Sequence, residues 1–167
     1  MESLIQSLPQ ELISKIMLYT LKSPHKDLEL GYLKYLLGEP IYNTMMQHGE
    51  IITKNGHLVK ISLISVTFHR RLTIEFNIEA LQSFPHLSYF NLSYTRVFGD
   101  VKVLQFMPNL SKFFLGNTKV TGDVHVLQSC PNLTHIYIKD NINVTGNDQD
   151  FMDYRKKNGL NYCLAVV

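Results

Sequence analysis

Three side chains that can bind a metal follow one another at regular short intervals: His125, Cys130 and His135. Imidazole and thiolate are preferred zinc ligands, so these residues are the first candidates for chemistry. The repeat pattern of the chain, however, assigns His135 to a strand, His125 to the opposite side of its repeat and Cys130 to the core. Because the three side chains are then separated, we expect no metal site.

The sequence also lacks the motifs that accompany catalysis. It contains no H-E-x-x-H, no C-x-x-C, no Gly-rich phosphate loop and no G-x-S-x-G. The basic cluster His69-Arg70-Arg71 is more typical of a solvated helix surface than of a phosphate site. We therefore expect no catalytic residues, no cofactor and no enzymatic activity.

The composition indicates one domain, or a small repeat array with a modest additional module. Of the 167 residues, 45% are apolar and 18% are charged, which favours a sizeable core over general disorder. A net charge of +2 gives no electrostatic footprint for nucleic acid. The N-terminus has no basic segment followed by an apolar run, and no stretch reaches membrane-spanning length. We predict an intracellular monomer, cytoplasmic or nuclear, with no nucleic-acid or membrane partner.

The stretch from Ile78 to Val144 repeats one frame three times. Pro85, Pro108 and Pro131 recur with a 23-residue period, and each is followed by the pattern L-x-x-L-x-L-x-x-N/T. Its columns are Leu87, Phe90, Leu92 and Thr95, then Leu110, Phe113, Leu115 and Thr118, then Leu133, Ile136, Ile138 and Asn141. A Val-x-Gly-Asp-Val element follows twice, with a degenerate third copy, and aligns Gly99, Gly122 and Gly146. A fixed period of this length indicates stacked supersecondary units.

This frame resembles the leucine-rich repeat (LRR). The resemblance implies an α/β fold in which residues 74–150 form a short right-handed LRR solenoid with parallel strands on its concave face. Strands are predicted at residues 88–92, 111–115 and 134–138. The threonine and asparagine column should satisfy backbone groups of neighbouring turns, and the glycine column should adopt positive φ or a close backbone approach. Residues 151–167 are predicted to form a C-terminal cap with a short helix and an edge strand.

Alternate side chains of the predicted strands face away from the core. On this concave surface lie Tyr89, Lys112 and His135, then Asn91, Phe114 and Tyr137, and finally Lys139 beyond the third strand. Aromatic side chains beside lysines resemble a protein-binding hot spot, so we predict that a target protein binds this face. The alternative is a face without a partner, because short strands always expose some side chains and scattered surface aromatics are ordinary.

The N-terminal segment carries the pattern Leu8-Pro9-x-Glu11-Leu12-x-x-x-Ile16. It resembles the opening of the F-box, the helical module that docks F-box proteins onto the Skp-type adaptor of cullin–RING ubiquitin ligases. Residues 25–28 resemble the start of the second F-box helix, and residues 63–72 resemble the third. The resemblance implies that Leu8, Pro9, Leu12 and Ile16 dock this adaptor, and that residues 1–73 form a helical, F-box-like module. An insertion at about residues 35–56 and the absence of tryptophan depart from the family pattern.

Two questions stay open at this level. The N-terminal helices either dock a ligase or only cap the repeat array, because terminal repeats expose an apolar face. Residues 58–72 fit a strand by alternation and a helix by their 3.6-residue period. Since the interval from Leu58 to Leu87 is longer than the 23-residue period, we predict a helix. The leading function is a non-enzymatic adaptor, and the alternative is a plain LRR interaction or structural protein.

Overall fold

The computed structural model describes residues 28–63, 74–128 and 130–166, which form an α/β structure with two sheets. The larger sheet has six strands and is mixed, since its first two strands are antiparallel and the others pair in parallel. The smaller sheet has three parallel strands. One continuous cluster of buried apolar side chains includes residues from both sheets.

Residues 28–63 form two helices and a hairpin. Helix α1 (Leu28–Leu37) and helix α2 (Glu39–His48) meet at Gly38, whose φ of 79° permits the turn between them. Strands β1 (Gly49–Lys54) and β2 (His57–Leu63) pair antiparallel across a two-residue Asn-Gly turn. Both turn residues have positive φ, as a type I′ hairpin requires.

The helix predicted over residues 58–72 is wrong for its first part, because residues 57–63 are strand β2. This strand pairs in parallel with strand β3 (Tyr89–Asn91), with Lys60 opposite Tyr89. Parallel pairing requires only that the two backbones align. The number of residues between paired positions of β2 and β3 can therefore be larger than the 23-residue period. The alternating side chains of β2 then favour the strand. The remaining residues of that prediction, 64–72, include none that the structure describes.

The three predicted repeat strands are present and in register. Strand β3, strand β5 (Lys112–Phe114) and strand β7 (His135–Tyr137) pair in parallel, so residues one repeat apart are direct neighbours. Strand β9 (Leu164–Val166) extends the sheet beyond β7, which confirms the predicted edge strand of the C-terminal cap. The central residue of each repeat strand is buried, so the residues beside it point to the outer face of the sheet.

The opposite side of each unit contains a short strand and a 3₁₀ helix. The smaller sheet consists of β4 (Phe98–Asp100), β6 (Lys119–Asp123) and β8 (Val144–Thr145). The 3₁₀ helices span Ile78–Ser83, Val101–Phe106 and Val124–Leu127. The glycine column has the predicted positive φ, and a Cβ on Gly122 would lie 2.4 Å from Asp100 Oδ1. The positive φ and the close contact of the Asp100 side chain therefore both favour glycine there.

The threonine and asparagine column satisfies backbone groups, but only asparagine reaches the neighbouring unit as predicted. Thr95 Oγ1 donates to Leu92 O at 2.6 Å, within its own unit. Asn141 reaches across units: its Oδ1 accepts from Thr118 N at 2.8 Å, and its Nδ2 donates to Leu115 O at 2.9 Å. Asparagine thus links two units through one side chain, because its amide both donates and accepts.

The C-terminal cap is held by a buried arginine. Helix α3 (Asp148–Lys157) carries Arg155, whose side chain is 1% exposed although arginine is usually solvated. Its guanidinium donates at 2.7–3.0 Å to four backbone carbonyls, those of Gln128, Cys130, Leu133 and Asn161. Arg155 therefore links the last repeat turn to the segment that leads to β9.

We predict that Arg155→Met lowers the free energy of unfolding by about 3–5 kcal/mol, because methionine leaves the buried Leu133 carbonyl and three partly buried carbonyls without this donor. Urea denaturation of the full chain measures this value. The exposed neighbour provides the control, and Lys156→Met should change stability by no more than about 0.5 kcal/mol. Equal effects of the two substitutions would contradict the role of Arg155.

Candidate functional site

The predicted binding residues lie together on the outer face of the six-stranded sheet. Tyr89, Lys112 and His135 are successive neighbours in one row across the strands, and Asn91, Phe114 and Tyr137 are successive neighbours in the next. Lys139 is exposed, two residues beyond the end of β7. We call this surface the aromatic–lysine face; it consists of Lys60, Tyr89, Asn91, Lys112, Phe114, His135, Tyr137 and Lys139.

Lys60 is the member of the face that sequence reasoning missed, because residues 58–72 were predicted to be helical. In strand β2 it lies next to Tyr89, with Nζ 5.2 Å from the centre of the tyrosine ring. Its ammonium also forms an ion pair with Glu50 at 2.6 Å. The alternation of apolar Val59, Ile61 and Leu63 was the available signal for this strand.

The aromatic side chains of the face are half-buried and packed on their neighbours, whereas the sequence suggested exposed rings. The Tyr89 and Phe114 rings are tilted by 44° with centroids 5.7 Å apart, a favourable geometry for an aromatic pair. Because the two rings are already held by packing, less side-chain conformational entropy is lost when a partner binds. A preformed aromatic surface is therefore available to a ligand.

Tyr137 lies against the backbone of the preceding unit. A Cβ built on Gly116 would come within 2.3 Å of Tyr137 Cε1 and 2.8 Å of its Cδ1. Gly116 occupies the column of Ser93 and Lys139, so the second unit lacks a side chain at the position where the ring rests. The absence of a Cβ there sets the orientation of Tyr137.

The face becomes apolar toward the C-terminal end of the sheet. Leu164 pairs with His135 and is 46% exposed, and Val166 pairs with Tyr137. Both rows thus continue onto the cap, which sequence reasoning did not assign to the binding face.

The metal site considered from the sequence is not assembled. His125 lies in the 3₁₀ helix beside the smaller sheet, with Nδ1 2.9 Å from Asp123 Oδ1, whereas His135 lies in β7 of the other sheet. Cys130 is half-buried against the core. Within the described ranges, no group of three or more His, Cys, Asp or Glu residues is arranged to hold a metal ion.

The two thiols are also poor nucleophiles. Burial raises the pKa of Cys163 to about 11 and raises that of Cys130 as well, so both thiols are protonated near neutral pH.

The predicted docking residues Leu8, Pro9, Leu12 and Ile16 lie outside the described residues, as does the basic cluster at residues 69–71. Of the helices in the described ranges, none has the length and apolar character to cross a membrane. Comparison of the chain with protein-family models and with curated proteins found no match. The two family resemblances therefore stay predictions that rest on the residues themselves.

We predict that Gly116→Ala displaces the Tyr137 ring and costs about 1–3 kcal/mol of stability, because the new methyl group overlaps the ring edge. A double-mutant cycle measured by urea denaturation isolates this effect. In a Tyr137→Ala background, the same glycine substitution should cost much less. An equal cost in both backgrounds would mean that another contact constrains Gly116.

Proposed function

We propose that this protein is a non-enzymatic adaptor of the LRR type. Its aromatic–lysine face binds a target protein, and its F-box-like N-terminal segment docks a Skp-type adaptor of a cullin–RING ubiquitin ligase. The finer fold belongs to the same proposal: residues 74–150 form a short right-handed LRR solenoid with the aromatic–lysine face on its concave side.

The in-register pairing of β3, β5 and β7 supports the LRR interpretation, as do the 3₁₀ helices on the opposite side of each unit. Asparagine side chains form a second set of hydrogen bonds between units. Asn109 Nδ2 donates to Pro85 O at 2.8 Å, and Asn132 Nδ2 donates to Pro108 O at 2.7 Å. Each unit is fastened to the one before it, which is how repeat arrays gain stability from neighbours.

The observation that carries the target-binding role is the group of aromatic side chains beside lysines, in which the Tyr89 ring packs on that of Phe114 and Tyr137 is the strand neighbour of Phe114. Tyrosine and other aromatics dominate protein-binding hot spots because they bury a large area with few rotatable bonds. Phe114 and Tyr137 contribute this area on the outer face rather than in the core. The surrounding side chains are recognition groups and do not form an acid–base set.

The docking role rests on the residues of the N-terminal pattern Leu8-Pro9-x-Glu11-Leu12-x-x-x-Ile16 and on their resemblance to the opening of the F-box. Among the described residues, helices α1 and α2 and the β1–β2 hairpin lie at the first repeat unit: Leu33, Met45 and Leu58 are fully buried, and the Tyr32 ring lies 5.9 Å from that of Phe84. The alternative is a plain LRR interaction protein whose N-terminal helices only cap the array. The binding experiment below separates the two.

We expect the purified full chain to bind a Skp-type adaptor in the micromolar range or better. A Leu8→Asp, Ile16→Asp double variant should lose this binding, since carboxylates at these two positions cannot be buried against the adaptor without a charged or hydrogen-bonding partner. Isothermal titration calorimetry measures the affinity, and circular dichroism checks that both proteins are folded. Phe114→Ala is the matched control and should bind the adaptor normally. If the wild-type chain does not bind, or if the double variant unfolds, the plain interaction protein becomes the better description.

A further inference from the structure

Of the nine lysines in the described residues, four have a carboxylate within 4 Å: Lys34, Lys60, Lys102 and Lys119. Within the same residues, no carboxylate lies within that distance of the other five, which are Lys54, Lys112, Lys139, Lys156 and Lys157. Lys112 and Lys139 belong to the aromatic–lysine face, so positive charge is left for a ligand where the aromatic side chains are.

The positions of the charges and rings define an ordered pattern. Lys112 and His135 are adjacent in the row of Tyr89, and Phe114 and Tyr137 are adjacent in the next row. Lys139 lies two residues beyond Tyr137, on the far side of the aromatic row. Positive side chains therefore flank the aromatic row on both sides.

The length of the face fits a short extended segment. Neighbouring strands lie about 4.8 Å apart, so the four steps from β2 to β9 span roughly 19 Å. An extended chain crossing the strands covers this distance with about six residues. Exposed Leu164 and its neighbour Val166 add an apolar site at one end of that path.

We propose that the partner of this face is an extended acidic segment of a protein, about six residues long, in which carboxylates flank an apolar or aromatic anchor. The anchor packs on Phe114 and Tyr137, and the carboxylates pair with Lys112 and Lys139. The neutral aromatic centre distinguishes this ligand from a purely acidic one, because the packed rings contribute only when apolar surface is buried against them. The inference rests on the proposed target-binding function.

The test uses the folded full chain and a displayed library of random peptides of about eight residues, slightly longer than the estimated span. Peptides that also bind a Phe114→Ala variant are removed. We expect the remaining peptides to be enriched in aspartate and glutamate around an apolar residue. Fluorescence anisotropy then measures their affinities for the wild type and for lysine variants.

A Lys112→Gln, Lys139→Gln variant should bind the selected peptides about three- to thirtyfold more weakly, as expected for the loss of two exposed ion pairs. Raising the salt concentration about tenfold should weaken binding to the wild type in the same direction. Lys119→Gln, at an exposed lysine of the smaller sheet, is the control and should leave affinity unchanged.

The other outcomes contradict the proposal in distinguishable ways. Selected peptides that need Phe114 but show no acidic enrichment, or that ignore the lysine variant, overturn the acidic partner and leave target binding intact. If no peptide depends on Phe114, the target-binding function fails as well. Binding of an oligouridine that is lost in the lysine variant would instead assign the face to single-stranded nucleic acid, which also stacks on aromatics.

Discussion

Parallel backbone pairing that follows the 23-residue period is the constraint on which the rest of this structure depends. Leu92 N donates to Phe114 O at 2.9 Å, and one unit later Leu115 N donates to Tyr137 O at 2.7 Å. Because side chains alternate along a strand, a shift of one residue would move every outward side chain into the core. The third unit is one residue longer, but the extra residue falls after Asn141, beyond strand β7, so the rows of the face are preserved.

The two ends of the larger sheet show why the period need not continue. Lys60 pairs with Tyr89, and His135 pairs with Leu164, so both end connections are longer than one repeat. At one end the antiparallel hairpin and two helices cover the first unit. At the other, Arg155 donates to three backbone carbonyls of the last repeat turn, those of Gln128, Cys130 and Leu133. Register is kept at the strands while the connections vary, which is possible because loop length costs little free energy.

Those parts of the fold that depend on local pattern were predictable from the sequence. The repeat strands, the glycine column and the cap helix followed by an edge strand each have a signal in a short stretch of sequence. Strand β2 was missed because its short apolar run fits two periods, and only pairing with β1 and β3 decides between them. Burial of Arg155 was not predictable, since it depends on carbonyls that are distant in the chain.

The candidate site was predicted in position but not in detail. The row order of its predicted residues followed from the period, whereas the half-buried state of Tyr137 depends on the missing side chain at Gly116 in the neighbouring unit. That contact has a signal in the sequence, a glycine in a column otherwise held by serine and lysine. Lys60 joins the face, and Leu164 lies beside it, only because of the longer end connections, which a 23-residue alignment of the repeats does not include.

Disulfide trapping tests most directly whether the repeat register builds the face. In a background where Cys130 and Cys163 are replaced by serine and alanine, Lys112→Cys with His135→Cys should cross-link under mild oxidation, because in-register neighbours have the Cα separation that a disulfide needs. The diagonal pair, Lys112→Cys with Tyr137→Cys, lies about 7–8 Å apart and should cross-link far more slowly. Faster trapping of the diagonal pair would mean that the strands pair in another register, and that the rows of the aromatic–lysine face do not exist.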